Sequence, residues 1–119
     1  MILFVDDNAE CRQAFATIIQ LHGHEVMEAA NATEALKILD SFNLELVITD
    51  LVMPDVSGFQ LIAHIRRKRP DMPIVLMSAH LSQEIAEIIS GWSRVEFIPK
   101  WIDAPAFLAT IDRLAGKSN

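Results

Sequence analysis

The chain has 119 residues, of which 51% are hydrophobic, and its 16 acidic and 10 basic side chains give a net charge of −6. A chain of this size can bury a core of its own as one domain, without disulfides or a structural metal. The single cysteine, Cys11, excludes a disulfide framework and favours a reducing, intracellular compartment. The acidic balance argues against binding a nucleic-acid backbone, and no apolar run approaches the ~20 residues of a membrane span.

Five short apolar runs predict five strands, and a helical pattern follows each of them. The predicted strands are residues 2–5, 25–28, 44–49, 74–77 and 95–98. The runs ILFV, LVI and IVLM are continuously apolar, which is typical of strands that are buried on both faces. Alternating strands and helices predict right-handed crossovers and a parallel sheet with helices on both sides.

Polar residues identify the ends of several predicted helices. Gly23 is placed to end the first helix, and Asn31 followed by Glu34 has the form of a capping box for the second. Ser82 and Asp103 are predicted to cap the fourth and fifth helices.

Other polar residues follow the predicted strands. Asp6 and Asp7 follow the first strand, Asp50 the third, Ser78 the fourth and Lys100 the fifth. Because the carboxyl ends of parallel strands meet at one edge of a sheet, these side chains are expected to share one crevice. Taken singly, each aspartate can be a helix cap, the serine can bond locally and the lysine can be solvated. Their joint occurrence favours a site.

Three neighbouring carboxylates repel one another unless a proton or a cation intervenes. Mg²⁺ is the commonest ion that accepts carboxylate, carbonyl and water oxygens. An incoming phosphoryl group could add further ligands, with Lys100 and Ser78 holding its remaining oxygens. The pattern therefore favours nucleophilic attack of a carboxylate on phosphorus, which forms an aspartyl phosphate.

Four motifs occur in a fixed order along the chain. They are VDDN at residues 5–8, ITDLVMPDVSG at 48–58, SAH at 78–80, and Phe97 with PK at 99–100. Together they resemble the receiver domains of two-component response regulators, over nearly the whole chain. The acidic pair alone would be weak evidence, but the ordered set is specific.

The resemblance implies a single receiver domain over residues 1–119 with a flavodoxin-like, doubly wound α/β fold. Its five-stranded parallel sheet would have the order 2-1-3-4-5, with five helices. The implied function is that of a cytoplasmic phosphoacceptor module, which takes a phosphoryl group from a histidine kinase or a histidine phosphotransfer protein. Such a domain catalyses only its own Mg²⁺-dependent phosphorylation and dephosphorylation, and it is not otherwise an enzyme.

The resemblance also assigns roles around a Mg²⁺ ion. Asp50 would be the phosphoacceptor and a metal ligand, Asp7 would bind the metal directly, and Asp6 would bind it through water. Val52 would offer its backbone carbonyl to the metal.

Further roles implied by the resemblance concern switching and dephosphorylation. Ser78 and Lys100 would bind the phosphoryl group, and Phe97 would move into the space that the serine leaves. Val52 and His80 stand where polar groups can orient the water that attacks the phosphoryl group. Val52 cannot orient water through its side chain, so we predict slow self-dephosphorylation unless His80 compensates.

One position departs from the family pattern, because Trp101 follows the lysine where proline is common. A cis bond before a residue other than proline costs about 2.5 to 4 kcal/mol, so we predict a trans Lys100–Trp101 bond. The aim of Lys100 at a phosphoryl group could differ as a result.

Two alternative functions share parts of this pattern. An aspartyl-phosphate phosphatase would place its nucleophile after the first strand with a second acid two residues on, whereas Asp6 and Asp7 are adjacent. A flavin binder would have a phosphate loop rich in serine, threonine and glycine in place of VDDNAE. The oligomeric state stays open, including a homodimer through the last helices. We expect the output to lie in another chain or in another part of a longer one.

Overall fold

The computed structural model describes residues 1–53, 56–79 and 82–116. Within them, five strands alternate with five helices. The strands are β1 (Ile2–Val5), β2 (Val26–Ala29), β3 (Leu46–Asp50), β4 (Ile74–Ser78) and β5 (Val95–Pro99). The helices are α1 (Ala9–Leu21), α2 (Ala32–Ser41), α3 (Gly58–Lys68), α4 (Gln83–Ser90) and α5 (Ala104–Leu114).

All strand pairs are parallel, and the order β2-β1-β3-β4-β5 matches the prediction. The first strand has the predicted boundaries, and those of the other four differ from the sequence prediction by at most two residues. The third, fourth and fifth strands continue to Asp50, Ser78 and Pro99, because pairing with the neighbouring strand extends past the apolar run. Asp50 and Ser78 are therefore the last residues of their strands and do not follow them.

The core has two layers, one on each face of the sheet. On β1, Leu3 and Val5 belong to the layer that α2 and α3 cover, whereas Ile2 and Phe4 belong to the layer that α1 and α5 cover. This period of two is that of a pleated strand, and both sets are buried because helices lie on both sides.

Side-chain caps start the helices, largely as predicted. The Asn31, Ser82 and Asp103 side chains accept backbone N–H bonds at the starts of α2, α4 and α5. Glu34, however, accepts from Ala30 N instead of completing a capping box at Asn31. The full reciprocal box is at α3, between Ser57 and Gln60.

No helix in the described part of the chain is long and apolar enough to cross a membrane.

The first helix ends as expected, because Leu21 is its last residue and Gly23 adopts a φ of 100° just beyond it.

Candidate functional site

The carboxyl edge of the sheet collects the polar residues predicted from the strand ends. Asp6 directly follows β1, Asp50 ends β3, Ser78 ends β4, and Lys100 directly follows β5. In the register of the sheet, Asp50 lies opposite Met77, and Ser78 lies opposite Pro99. Four elements that are far apart in sequence therefore present their functional groups at one edge.

Three carboxylates converge at this edge. Oxygens of Asp6, Asp7 and Asp50 all lie within 4.8 Å of one another, in the arrangement of a potential metal site. Asp6 is only 1% exposed, Asp50 is intermediate and Asp7 is exposed. With Lys100, these residues form what we call the acidic centre.

Lys100 lies between two of the carboxylates. Its Nζ is 3.2 Å from Asp6 Oδ2 and 3.2 Å from Asp50 Oδ2. Burial alone would lower the pKa of this ammonium, but the charges of Asp50 and Asp6 outweigh burial and raise the pKa above its ordinary value. Lys100 therefore stays protonated and offsets part of the negative charge.

Asp50 is not fully compensated by this lysine. Burial raises the pKa of its carboxyl, and the charge of Asp6 raises it further. Lys100 and the backbone N–H of Leu51 act in the opposite direction, yet the net pKa is raised. The ionised form of Asp50 is thus held at a free-energy cost that a further cation would relieve.

This geometry coincides with a match to a known family. The model of the response regulator receiver domain matches residues 2–112 of the chain. The chain belongs to this family. As a receiver domain it is a signalling module of the two-component type.

Relatives of this receiver domain include much longer proteins. Over 112 residues it is 32% identical to the DNA-binding transcriptional regulator NtrC of Azospirillum brasilense. That alignment covers 94% of this chain and 23% of NtrC. Over 120 residues it is 26% identical to the sensor kinase CckA of Brucella abortus, and that alignment covers 99% of this chain and 13% of CckA. The chain thus spans about a quarter or less of the length of these two relatives.

A solved structure shares the fold over most of the chain. The response regulator TrrA from Thermotoga maritima, solved in complex with Mg(2+)-BeF, superposes with a TM-score of 0.85. The two sequences are 33% identical, and the alignment covers 95% of this chain and 96% of TrrA. The likeness therefore extends from the sheet to its helices.

The backbone around Asp50 is tightly held. Asp50 Oδ1 accepts from Leu51 N at 2.8 Å, and Gly58 N donates to Leu51 O at 2.7 Å. A Cβ at Gly58 would overlap the carbonyl oxygen of Asp50, so only glycine allows the start of α3 to approach so closely. The receiver domain thus fixes Asp50 from both its own strand and the next helix.

Other residues predicted for the site lie around its rim. Ser78, at the end of β4, and Phe97, in the middle of β5, are both half-buried. Val52 is 72% exposed, and Trp101 is 77% exposed. His80 lies outside the described residues.

The bond between Lys100 and Trp101 is trans, as predicted from the missing proline. Lys100 still reaches the site from this backbone, because its ammonium contacts both Asp6 and Asp50. The departure from the family pattern therefore leaves the lysine at the acidic centre.

Sequence reasoning missed two supports of the acidic centre. Asn8 caps α1 through Cys11 N, and its own N–H donates to Asp6 Oδ1 at 3.0 Å. Arg12 donates from Nη1 to the backbone oxygen of Asp6 at 2.9 Å. An asparagine directly before a helical pattern is a recognisable cap, but no local signal identifies the target of Arg12.

Sequence reasoning also missed a second cluster, which we call the histidine–aspartate centre. His22 Nε2 lies 2.8 Å from Asp112 Oδ2, and His24 Nε2 lies 2.7 Å from Asp112 Oδ1. The three residues join the connection between α1 and β2 to α5. The two histidines gave no ligand spacing in the sequence, because their partner is 88 and 90 residues away.

Proposed function

We propose that this domain accepts a phosphoryl group on Asp50 in a Mg²⁺-dependent reaction and then alters the surface that it offers to a partner. The observation that carries this proposal is the acidic centre, where three carboxylates and one ammonium converge at the carboxyl edge of the sheet. A site of this composition is unbalanced without a cation and is suited to groups rich in negative oxygen.

The donor set fits a hard divalent cation. Asp6, Asp7 and Asp50 offer carboxylate oxygens within 4.8 Å of one another, and we propose the backbone carbonyl of Val52 as a further ligand. A bound Mg²⁺ would supply the positive charge that lets a phosphoryl group approach these carboxylates. The relative TrrA, solved in complex with Mg(2+)-BeF, supports this choice of ion.

Asp50 is the proposed nucleophile. Among the three carboxylates, Asp6 is closed to solvent and Asp7 is exposed, whereas Asp50 is partly accessible and contacts Lys100 directly. A carboxylate oxygen of Asp50 would form a bond to phosphorus as the bond from phosphorus to the donor nitrogen or oxygen breaks. The leaving donor atom takes that bond's electron pair.

Two residues of the neighbouring strand ends would then respond to the phosphoryl group. Lys100 would exchange its contact with the Asp50 carboxylate for one with a phosphoryl oxygen, and the Ser78 hydroxyl would bind a second oxygen. Phe97 is half-buried on β5, so it can repack when Ser78 moves. Differential contacts of this kind shift a population between two packings.

The proposed donor is a histidine kinase or a histidine phosphotransfer protein in the cytoplasm. Relatives that contain a similar segment include a sensor kinase and a DNA-binding regulator. We propose that the domain serves as the phosphoacceptor of such a system, with no separate catalytic activity and no nucleic-acid contact of its own.

Incubation with acetyl phosphate and Mg²⁺ tests the proposal, with intact mass as the readout. We expect the wild type to gain the mass of one phosphoryl group, and chelation of Mg²⁺ to prevent the gain. Asp50→Asn should gain nothing, whereas Asp40→Asn, at an exposed aspartate paired with Lys68, should behave as the wild type does. An unmodified wild type, or an adduct that survives in Asp50→Asn, would refute the proposal.

A further inference from the structure

A largely buried arginine ties the acidic loop to a neighbouring strand. Besides its bond to the backbone oxygen of Asp6, Arg12 donates from Nε to Glu28 Oε1 at 3.1 Å. Glu28 is on β2, directly opposite Phe4 of β1, and the Arg12 side chain is 15% exposed. The planar guanidinium therefore holds two acceptors at once, one in the loop after β1 and one on β2.

Every polar group of Asp6, the loop residue that Arg12 contacts, forms a hydrogen bond or an ion pair. Asp6 N donates to Ala29 O at 3.1 Å, and the Asp6 carboxylate accepts from Asn8 N and from Lys100 Nζ. Arg12 holds the remaining group, the carbonyl oxygen. Removal of Arg12 would free that carbonyl alone, while the other three contacts would remain.

The Asp6 carbonyl belongs to the peptide plane that leads into Asp7. Because this unit is planar, a fixed carbonyl also fixes the direction of the Asp7 N–H and the position of its Cα. The Asp7 side chain is exposed and forms no hydrogen bond or ion pair in the part of the chain that the structure describes. The aim of its carboxylate toward Asp50 thus depends on the backbone that Arg12 holds.

Glu28 pairs with Arg12 and so keeps its guanidinium from pairing with a carboxylate of the acidic centre. An arginine next to three carboxylates would ordinarily pair with one of them and compete with a cation. Here Arg12 is paired with Glu28, and its contact at the acidic centre is to a carbonyl. The loop is thereby anchored without loss of a metal-binding carboxylate.

We infer that Arg12 is a positioning residue, which orients the Asp7 carboxylate for a divalent cation through the Asp6–Asp7 peptide plane. The inference rests on the proposed cation site and adds to it a residue that never touches the ion. Outer partners of this kind commonly change metal affinity by about 10- to 100-fold when they are removed.

The inference predicts a change opposite to that expected from charge alone. Removal of a positive side chain near a cation site should tighten Mg²⁺ binding, since it removes repulsion. If Arg12 positions Asp7, its removal should instead weaken binding. The sign of the change therefore separates positioning from electrostatics.

Calorimetric Mg²⁺ titration of the whole chain is the test. We expect Arg12→Ala to raise the dissociation constant about tenfold, and Arg12→Lys, which keeps the charge but loses the two-pronged fork, to raise it as well. Arg113→Ala is the matched control, because it also removes an arginine paired with a glutamate, Glu96, but at an exposed position. Its dissociation constant should equal that of the wild type.

A metal-free measurement accompanies the titration. In chelator, the NMR order parameter of the Asp7 backbone amide should be lower in Arg12→Ala than in the wild type and unchanged in Arg113→Ala. Unchanged or tighter Mg²⁺ binding by Arg12→Ala would overturn the inference, and if that variant does not fold, unchanged binding by Arg12→Lys would do so. Failure of the wild type itself to bind Mg²⁺ would instead refute the cation site on which the inference rests.

Discussion

Two clusters of ionisable residues in this receiver domain each contain a buried carboxylate, but they surround it with opposite kinds of neighbour. The acidic centre consists of Asp6, Asp7, Asp50 and Lys100, and the histidine–aspartate centre consists of His22, His24 and Asp112. The first places three acids around one ammonium, whereas the second places two imidazoles around one acid. Three carboxylates therefore share one ammonium in the first centre, whereas each oxygen of the single carboxylate in the second has its own hydrogen-bond partner.

The pKa of the central carboxyl moves in opposite directions in the two centres. Burial, with the charge of Asp6, raises the pKa of Asp50. The hydrogen bond from His24, with a second from His22, lowers the pKa of Asp112. A carboxylate with its bonds satisfied stabilises the fold, whereas one that is under-compensated at an open edge is available for chemistry.

The largest expected effect is at the one lysine of the acidic centre. Lys100→Met leaves Asp6 and Asp50 without their ammonium, so the free energy of unfolding in chelator should fall by about 3 kcal/mol. Mg²⁺ should restore much of the loss, because a cation can replace the missing charge. Urea unfolding followed by circular dichroism measures both quantities.

A matched lysine provides the control for this experiment. Lys68 pairs with Asp40 at the surface, where both side chains are about half exposed. Lys68→Met should cost less than about 1 kcal/mol and should show no dependence on Mg²⁺. Equal losses for the two variants would mean that the acidic centre is no more strained than an ordinary surface pair.

A smaller effect is expected at the histidine–aspartate centre. Asp112→Asn weakens two hydrogen bonds to a charged acceptor, and the free energy of unfolding should fall by about 2 kcal/mol at pH 7. Mg²⁺ should not restore it, because the variant leaves this centre without a carboxylate. If Mg²⁺ restored the lost free energy of unfolding, the histidine–aspartate centre would not differ from the acidic centre in the way proposed.

The pH dependence of the Asp112 contribution has a defined sign. The pKa of Asp112 is lower in the folded state than its ordinary value of 3.8, so the folded state binds this proton less readily. The stabilisation is therefore complete above pH 3.8 and is lost as the pH falls through the lowered pKa. The difference between wild type and Asp112→Asn should shrink when unfolding is measured at pH 3 instead of pH 7.

The smallest expected effect concerns the rim of the acidic centre. Val52 is exposed and apolar, so it cannot orient water toward a phosphoryl group on Asp50. We expect Val52→Asn to shorten the phosphoryl lifetime severalfold, as measured by loss of the mass adduct over time. Ile88, on α4, is also exposed and apolar, and Ile88→Asn should leave the phosphoryl lifetime unchanged. A Val52→Asn lifetime equal to that of the wild type would remove this residue from the mechanism.

Much of the fold could be predicted from the sequence because its signals are local. Apolar runs identified the strands, and residues such as Ser82 and Asp103 marked helix starts. The capping box was wrong in its location, because Ser57 with Gln60 fits the pattern as well as Asn31 with Glu34 does. The predicted ends of the last four strands were also one residue too short, since pairing with a neighbouring strand is not visible in a single run.

The candidate site was predictable to the extent that topology brings strand ends together. The positions of Asp50 and Lys100 follow from a parallel sheet, whichever residues fill its core. The bond from Arg12 to a backbone oxygen leaves no trace in residue types. Nor does the meeting of His24 with Asp112, because it depends on how α5 packs beside the end of α1 on the same face of the sheet.

The central claim is that Asp50, among three clustered carboxylates, is the one that carries the phosphoryl group. Borohydride reduction of the phosphorylated domain converts an aspartyl phosphate to homoserine, and peptide mass spectrometry then locates the converted residue. We predict homoserine at position 50 and unmodified aspartate at Asp6 and Asp7. Homoserine at either of those two positions, or at none of the three, would contradict the account.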